Sequence, residues 1–252
     1  MKKILLTIPI LLFAINSAYC QVVMKVTEKY PNGKIRQAAY FKNNRKIATR
    51  FYDSREFFIK QKGNIPNGFA FEYYSNNLVK RKEPYKNNIL NGMLITYYPN
   101  GEASSGVDYK NNRCHGKGTY YRSDSSVKET FECINGLWHG VAKFYDEQEK
   151  ILAREEYING YVNGTTVFYY PNGTIKESIT FVNHKKNGSA KFYDKAGKLK
   201  QTAHFKNDKL DGEVITPYKN GRKKIVNIYQ NGRKVKKIIY KKNGKVKKEI
   251  NY

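Results

Sequence analysis

The chain has 252 residues, 47 lysines and arginines against 21 acidic residues, and a formal net charge of +26. This length allows one or two globular domains, and the charge favours an anionic partner. The segments between glycines are dominated by Tyr, Val, Ile, Phe and Thr, which favours strands over helices. The sequence contains none of the nucleophile-elbow, phosphate-loop or His-Glu-x-x-His motifs that mark common enzymes. We therefore expect a non-enzymatic, all-β protein that needs no cofactor.

The first 20 residues have a different composition from the rest of the chain. Lys2 and Lys3 precede an apolar run at 4–15, and small and polar residues then lead to Cys20. This order is typical of a secretory signal peptide, and the apolar run is shorter than the roughly 20 residues that cross a bilayer. The sequence predicts no transmembrane span, cleavage after Cys20, and export to the periplasm, the outer envelope or the medium.

Lipidation of Cys20 is the alternative to soluble export. A bacterial lipobox has a small residue directly before the cysteine and usually Leu two places further back, whereas this chain has Tyr19 and Ser17. These residues favour soluble export over a lipoprotein. Two cysteines, Cys114 and Cys133, remain in the mature chain, and an oxidising compartment permits a disulfide between them. Two free thiols are the other interpretation.

Glycines recur through the middle of the chain at a fixed interval of 24 residues: Gly68, Gly92, Gly116, Gly140, Gly164, Gly188 and Gly212. Such a period indicates one small supersecondary unit that is stacked many times. We number each unit from its glycine, which is position 0. The regular array spans residues 68–211. Degenerate repeats precede it at 21–67, and a basic C-terminal repeat or cap follows at 212–252.

Three columns of the repeat carry large side chains. Position +5 is a tyrosine in six units: Tyr73, Tyr97, Tyr121, Tyr145, Tyr169 and Tyr193. Aliphatic residues dominate position +11 and aromatic residues position +17, and further turn residues such as Gly101 and Gly173 lie at +9. Two strands and two turns per unit predict an elongated antiparallel β-hairpin array in one sheet. Because all three columns are odd, alternation predicts that they share one face, opposite a broken lysine column at +12.

The units resemble the MORN-repeat-variant family, which includes YwqK-type antitoxin-like proteins of toxin–antitoxin systems. The matching segments are Tyr97-Tyr98-Pro99-Asn100-Gly101, Tyr170-Pro171-Asn172-Gly173, Phe205-Lys206-Asn207-Asp208 and Lys209-Leu210-Asp211-Gly212. The resemblance covers about residues 28–250. It implies hairpin arrays that act as interaction or scaffold modules, and it links them with acidic phospholipids. The second glycine of the family pattern, at +20, is replaced here by residues that tolerate tight turns: Asn88, Asn112, His184 and Asp208.

Two histidines, His115 and His139, occupy position −1 of adjacent units, where other units have Asn or Asp. These three residue types are the ones that most often adopt positive φ, so a turn role explains the column. Adjacent units are offset by two strands, about 9.6 Å, which is too far for two histidines to share one zinc ion. We therefore expect no metal site.

The C-terminal segment concentrates positive charge without any acid. Between residues 217 and 248 it contains Lys219, Arg222, Lys223, Lys224, Arg233, Lys234, Lys236, Lys237, Lys241, Lys242, Lys245, Lys247 and Lys248. One interpretation is a solvated surface that protects the sheet edge, since lysine discourages edge-to-edge pairing. The functional interpretation is contact with anionic lipid, envelope polysaccharide or an acidic protein. Export disfavours nucleic acid. The sequence thus predicts an exported scaffold at an anionic envelope surface, or alternatively an antitoxin-like protein that neutralises one partner.

Overall fold

The computed structural model describes residues 21–252, and the predicted signal segment with Cys20 lies outside this range. Within it the chain forms strands and turns and no helix. The strands are β1 (Val22–Lys29), β2 (Ile35–Lys42), β3 (Arg45–Tyr52), β4 (Phe58–Gly63), β5 (Gly68–Tyr73), β6 (Val79–Lys86), β7 (Ile89–Leu90), β8 (Gly92–Tyr97), β9 (Ala103–Lys110), β10 (Arg113–Tyr121), β11 (Val127–Ile134), β12 (Leu137–Trp138), β13 (Gly140–Tyr145), β14 (Ile151–Ile158), β15 (Tyr161–Val162), β16 (Gly164–Tyr169), β17 (Ile175–Val182), β18 (Lys185–Tyr193), β19 (Leu199–Lys206), β20 (Lys209–Leu210), β21 (Gly212–Pro217), β22 (Lys223–Gln230), β23 (Arg233–Tyr240) and β24 (Val246–Asn251).

These strands form one sheet whose pairing follows the chain over most of its length. From β5 to β24 the long strands pair antiparallel in chain order. The two-residue strands β7, β12, β15 and β20 pair only with the strand before them, and the strand after each pairs with that same strand. At the N-terminal end the order is β4, β3, β2, β1 and then β5, with β1 and β5 parallel through Val22 beside Ala70 and Val23 beside Phe71. The predicted all-β hairpin array is confirmed, and the structure adds a parallel junction near its start.

The turn that follows the second strand of each unit contains an asparagine at +19. The φ values of these asparagines lie between 47° and 53°, at Asn87, Asn111, Asn135, Asn159, Asn183, Asn207 and Asn231. A two-residue hairpin turn whose central residues both have positive φ matches the twist of the flanking strands. The following residue, at +20, is also at positive φ whether it is glycine or a replacement such as Asn88 or His184. The replacements therefore keep the turn, as predicted.

The opposite turn of each unit is tied to the next unit by the residue at +6. Its side chain donates to the backbone carbonyl at +5 of the next unit: Tyr74 to Tyr97 and Tyr98 to Tyr121, both at 2.7 Å, and Tyr170 to Tyr193 at 2.9 Å. Each bond satisfies a carbonyl at the end of a strand and links two units that are not covalently adjacent at that point. Successive units are therefore joined at these turns by side-chain hydrogen bonds, in addition to the backbone hydrogen bonds between the strands.

Each unit contains one extra residue in its second strand, and this residue changes which columns share a face. In the unit that begins at Gly164, Tyr169 pairs with Ile175, but Phe168 pairs with Glu177, so residue 176 is a bulge. Gly164 in turn pairs with Phe181. Since paired residues lie on one face and neighbours alternate, Phe181 lies opposite Tyr169. The prediction that columns +5, +11 and +17 share a face is therefore wrong for +17.

We call the side that carries positions +2, +4, +13, +15 and +17 the packed face, and the side that carries +1, +3, +5, +11 and +16 the outer face. The bulge residue at +12 points to the packed face, because Thr96 at +4 bonds the hydroxyls of both Ser104 at 2.8 Å and Ser105 at 2.6 Å. The lysine column at +12 therefore lies opposite the +5 tyrosines, as predicted. It lies beside the +17 aromatic residues, which was not expected.

Position 0 is a glycine at positive φ in every unit, and in some units a side chain there would also be too close to a neighbouring strand. Gly164 has a φ of 112°, which side chains rarely adopt, and a Cβ there would lie 2.2 Å from Oε2 of Glu156 in β14. That carboxylate accepts a hydrogen bond from the backbone N–H of Thr165 at 3.3 Å. The glycine that recurs every 24 residues thus lies at the start of each new hairpin. At Gly164 its backbone lies directly against the outer-face side chain of Glu156.

The first four strands, which we call the N-terminal cap, fold over the packed face of the first two units. Tyr40 and Ala48 of the cap are buried together with Ala70, Tyr85 and Leu94 of the array in one apolar cluster. All five side chains are 4% exposed or less. The degenerate N-terminal repeats therefore form a second layer rather than a simple continuation of the array.

A buried ionic network joins the cap to the array. Glu83 at +15 of the first unit is 1% exposed. Its Oε1 accepts a hydrogen bond from Nε of Arg81 at 2.7 Å, and its Oε2 accepts from the hydroxyls of Tyr40 and Tyr85, both at 2.8 Å. Arg50 of the cap, also 1% exposed, donates to Tyr85 at 2.7 Å. Burial, followed by the charge of Glu83, raises the pKa of Tyr40 and Tyr85 well above the usual value.

Candidate interaction surface

The packed face continues beyond the cap without a second layer from the described chain. In the units from Gly140 onward its aromatic side chains are half-buried by their neighbours along the sheet: Phe144, Tyr157, Phe168, Phe181, Phe192, Phe205 and Tyr229. Small or β-branched residues fill the buried +2 column between them, including Ala142, Thr166, Ala190 and Val214. The result is an aromatic strip on the same columns that the cap covers in the first two units.

Lysines lie on both sides of this aromatic strip. Lys176, Lys200 and Lys224 occupy the +12 bulge on one side and are exposed. On the other side Nζ of Lys186, at +22, lies 5.3 Å from the centre of the Phe205 ring. A cation over an aromatic face is attracted by the ring quadrupole, and its ammonium group still reaches solvent. The strip therefore presents aromatic rings and positive charge on one side of the sheet.

The structure divides the thirteen basic residues of the C-terminal segment between turns and both faces. Strand register places Lys237 and Lys248 on the packed face. Lys237 pairs with Asn227 and Lys248 pairs with Ile239, and both partners are packed-face residues. Lys224, Lys234 and Lys247 also fall on that face. Lys223 and Lys236 fall on the outer face, and the others lie in or beside the turns. The segment is therefore not one continuous patch, and its packed-face lysines extend the aromatic strip.

Two of these thirteen residues form ion pairs within residues 21–252. Nζ of Lys223 lies 2.9 Å from Glu213, and Nζ of Lys236 lies 2.6 Å from Glu249. Both pairs are on the outer face, and both acids lie outside the acid-free run. Nζ of Lys234 lies 4.2 Å from the centre of the Tyr252 ring. The outer face is therefore partly neutralised, whereas Lys224, Lys237 and Lys248 on the packed face form no ion pair within residues 21–252. Upstream on the packed face, Lys176 lies 3.4 Å from Glu177 and Lys200 lies 4.0 Å from Asp194.

The remaining predicted residues have structural surroundings. The six +5 tyrosines are half-buried on the outer face. Position −1 supports the turns, since the side chain of Asn67 accepts from the backbone of Asn87 at 2.6 Å and Asp211 accepts from Asn231 at 3.1 Å. His115 and His139 occupy the same position, and residues 21–252 contain no group of three or more His, Cys, Asp or Glu residues that could hold a metal.

The cysteines at 114 and 133 form a disulfide in the structure, with their Cα atoms 5.9 Å apart. Cys133 is 1% exposed and belongs to an apolar cluster that also includes Phe131 and Ala142. The bridge joins strands β10 and β11 on the packed face, just beyond the edge of the cap. It therefore secures the start of the uncovered aromatic strip.

Sequence reasoning missed two sets of residues that matter here. Arg50 and Glu83 were not singled out, because nothing local in the sequence shows that one lies in a cap and the other beneath it. The +6 side chains, such as Tyr98 and Tyr170, carry a signal that could have been found, since a tyrosine recurs there at the repeat period. The asparagine column at +19 carries an even stronger one.

The comparison with known families matches four stretches of the chain to the MORN repeat variant model: residues 23–43, 138–159, 162–183 and 186–207. At these four positions the chain carries MORN repeat variants. The matched stretches include the first hairpin of the cap and the units that form the aromatic strip. MORN repeats are commonly protein- or membrane-interaction modules, and the array fits a repeat scaffold of this kind. Residues 21–252 include no helix that is long and apolar enough to cross a membrane.

No curated protein sequence matches the chain. Among solved structures, the chain is similar to part of two described as the crystal structures of TcdB2-TccC3-Cdc42 and TcdB2-TccC3-TEV. Each is 9% identical, with a TM-score of 0.21. A third, the Photorhabdus luminescens Tc holotoxin pore with the TccC3-D651A mutation, is 11% identical with a TM-score of 0.18. The alignments cover 86%, 87% and 89% of this chain and 16%, 16% and 13% of those chains. The chain thus spans about a sixth of their length or less.

Proposed function

We propose that the chain is an exported, non-enzymatic scaffold that associates with an anionic envelope surface through the packed face of its uncovered repeats. The observation that carries the proposal is the combination on one face of half-buried aromatic rings with exposed lysines at +12 and in the C-terminal strands. Lysine and arginine near an anionic lipid surface each contribute about 1 kcal/mol, and aromatic side chains favour the headgroup level. One sheet face can therefore supply both the electrostatic attraction and the aromatic contacts with the headgroups.

The first experiment measures binding of the mature chain to lipid vesicles. Vesicles that contain phosphatidylglycerol are compared with vesicles of phosphatidylcholine alone, at low and at physiological salt. The proposal predicts binding to the anionic vesicles that weakens as salt rises, because salt screens exposed charges. Equal affinity for both vesicle types, or affinity for the anionic vesicles that does not change with salt, would contradict it.

A pair of charge-matched variants locates the contact. The test variant replaces four packed-face lysines of the C-terminal segment with glutamine: Lys224, Lys237, Lys247 and Lys248. The control replaces four exposed lysines at the N-terminal end: Lys29, Lys34, Lys46 and Lys62. Four contacts of about 1 kcal/mol correspond to a loss of affinity on the order of hundreds-fold for the test variant. If both variants lose affinity equally, net charge alone drives binding.

Export is tested by the mass of the mature N-terminus after fractionation of native cells. A chain that begins at Gln21, or one with a lipid on Cys20, supports export and distinguishes the soluble form from the lipoprotein. An intact chain that begins at Met1 in the cytosol contradicts export.

The second candidate function is antitoxin-like binding of one specific protein. The aromatic strip favours it, because a face of this kind is covered in the first two units by the chain's own cap. This candidate predicts a stoichiometric complex that survives high salt and no general affinity for anionic vesicles. Purification of the tagged chain from native cells at high salt, with and without substitution of Phe181 and Phe205 by serine, distinguishes the two.

A further inference from the structure

A cleft opens where the N-terminal cap meets the array. The turn between β3 and β4, at residues 53–57, overhangs the packed face of β8, β9 and β10 and encloses two adjoining cavities of about 210 and 330 Å³. Glu56, Val107, Tyr109 and Tyr120 belong to the walls of both cavities. The two cavities therefore form one site with two compartments, separate from the aromatic strip and from the C-terminal lysines.

The smaller compartment contains polar groups that the protein leaves without a hydrogen bond. Nε of Arg81 donates to Glu83, and its two terminal nitrogens make no hydrogen bond with another residue of 21–252 and are not among the fully buried atoms of that range. The hydroxyl of Tyr109 likewise bonds to no residue in this range and is not fully buried. The Arg81 side chain is only 19% exposed, so its charge is held in a site with limited access to water. Donors of this kind in a cavity are suited to an acceptor from a ligand.

Aromatic side chains form the adjoining walls. Tyr120 is 37% exposed and stacks on Phe131, with ring centres 5.3 Å apart, and Phe131 stacks on Trp138 at 4.6 Å. Trp138 and Phe57 line the larger compartment. This stack holds the exposed Tyr120 ring in a fixed orientation, which provides a flat surface for the body of a ligand at little cost in side-chain entropy.

The charges in the site indicate which anion fits. A planar guanidinium with two free terminal nitrogens matches a carboxylate, to which it can donate two parallel hydrogen bonds. Glu56 lines both compartments, and its Oε1 accepts from the backbone N–H of Ile35 at 2.8 Å. Its second oxygen can accept from a ligand hydroxyl. Lys34, Arg55 and Arg113 line the larger compartment, so the cleft as a whole is basic. The site therefore suits an anionic ligand that has hydroxyl donors and a ring-shaped body.

We propose that this cleft binds a carboxylated sugar residue, with the carboxylate on Arg81, a hydroxyl on Glu56 and the ring against Tyr120. An acidic polysaccharide of the cell envelope is a source of such residues. This source rests on the proposed envelope location, whereas the chemistry of the cleft does not. The cleft would add recognition of one ligand to the general electrostatic contact made by the C-terminal half.

The experiment titrates the full mature chain with galacturonate disaccharide and follows the fluorescence of Trp138, which is the one tryptophan of the chain. The neutral galactose disaccharide and a short peptide of glutamate and glycine are titrated in parallel. The proposal predicts a saturable fluorescence change with the acidic disaccharide and none with the other two. Equal binding of the neutral disaccharide would overturn the role of the carboxylate, and binding of the peptide alone would assign the cleft to a protein ligand.

Two variants that keep the net charge exclude non-specific attraction to this basic protein. Arg81→Lys removes the planar fork and is expected to weaken binding at least about tenfold. Tyr109→Phe removes a hydroxyl at the cavity wall that bonds to no residue of 21–252, and is expected to weaken binding about 3- to 10-fold without loss of stability. Tyr193→Phe, on the outer face of a distant unit, is the matched control and should bind like the wild type.

The outcomes separate this proposal from the proposed function. No saturable change up to millimolar disaccharide, or equal affinity in all four proteins, overturns the cleft site. Vesicle binding should be the same in Arg81→Lys as in the wild type, because it depends on the C-terminal lysines. A chain that binds vesicles but not the disaccharide therefore contradicts the cleft alone, and the converse result contradicts the surface contact alone.

Discussion

The buried carboxylate of Glu83 should contribute far more to stability than a carboxylate at the same repeat position outside the cap. Glu83→Gln keeps the shape of the side chain but leaves the guanidinium of Arg81 and that of Arg50 without a buried counter-charge. Removal of one partner from a buried ion pair typically costs about 3–5 kcal/mol. Three hydrogen bonds of 2.7–2.8 Å converge on this carboxylate, so we expect the Glu83 variant to lie within that range.

The matched control is Glu155→Gln. Glu155 also lies at +15, and its carboxylate accepts a hydrogen bond from the +17 tyrosine, Tyr157, at 2.7 Å. No cap covers this unit, and Glu155 is only half-buried. Since one hydrogen bond to a charged group at a partly solvated site is all that weakens, the expected loss is about 1 kcal/mol or less. The two sites differ chiefly in the cap with its Arg50, and in Arg81 of the array.

Hydrogen exchange is the appropriate assay, because repeat arrays can unfold in parts rather than in one step. Glu83→Gln should accelerate exchange of amides in the cap, residues 22–63, by about two to four orders of magnitude, and leave residues 223–251 unchanged. Similar, small effects of both variants would show that the network is not a significant source of stability. Uniform acceleration along the whole chain would show instead that cap and array unfold as one unit.

Three further predictions concern stability and can be measured by thermal or urea unfolding. Gly164→Ala should destabilise by about 1–3 kcal/mol, and more than Gly173→Ala, because both have positive φ but only the former meets a neighbouring side chain. Tyr170→Phe should cost about 1 kcal/mol through its lost bond to the next unit, whereas Tyr169→Phe should cost less. Burial, followed by the charge of Glu83, raises the pKa of Tyr52 to about 12, so the protonated folded form gains stability that is present below pH 10 and lost between pH 10 and 12; replacement by Phe should flatten that decline.

Local signals in the sequence were sufficient to predict the units of the array. Each turn is specified by residues inside it, such as the asparagine at +19 and the glycine at +9, because positive φ is a property of a single residue. The glycine at position 0 keeps its period because every copy has a φ between 90° and 126°, which side chains rarely adopt. The same turn residues recur in successive units, so a single sequence shows the turn pattern several times over.

Two features could not be derived from the pattern alone. The columns at +5, +11 and +17 are all odd, so simple alternation assigns them to one face. The bulge at +12 adds one residue to the strand, which reverses the alternation and places the +17 aromatic residues on the other face. The cap depends on long-range contacts, such as that of Tyr40 with Glu83, which are 43 positions apart. A single sequence gives no sign of such a pairing. The basic C-terminal run was visible, but its division between two faces follows from strand register.

The cap explains why one repeat pattern can be structural at one end and available for binding at the other. Tyr85 and Phe205 occupy the same position, +17, and their backbones pair in the same way with a position 0 glycine. Tyr85 is 3% exposed because the cap lies over it, whereas Phe205 is half-buried and the Lys186 ammonium lies over its ring. The length of the cap, rather than any change in the repeat, therefore determines how far along the array the +17 column is buried. Beyond that point the same column is part of a surface, with the +12 lysines beside it.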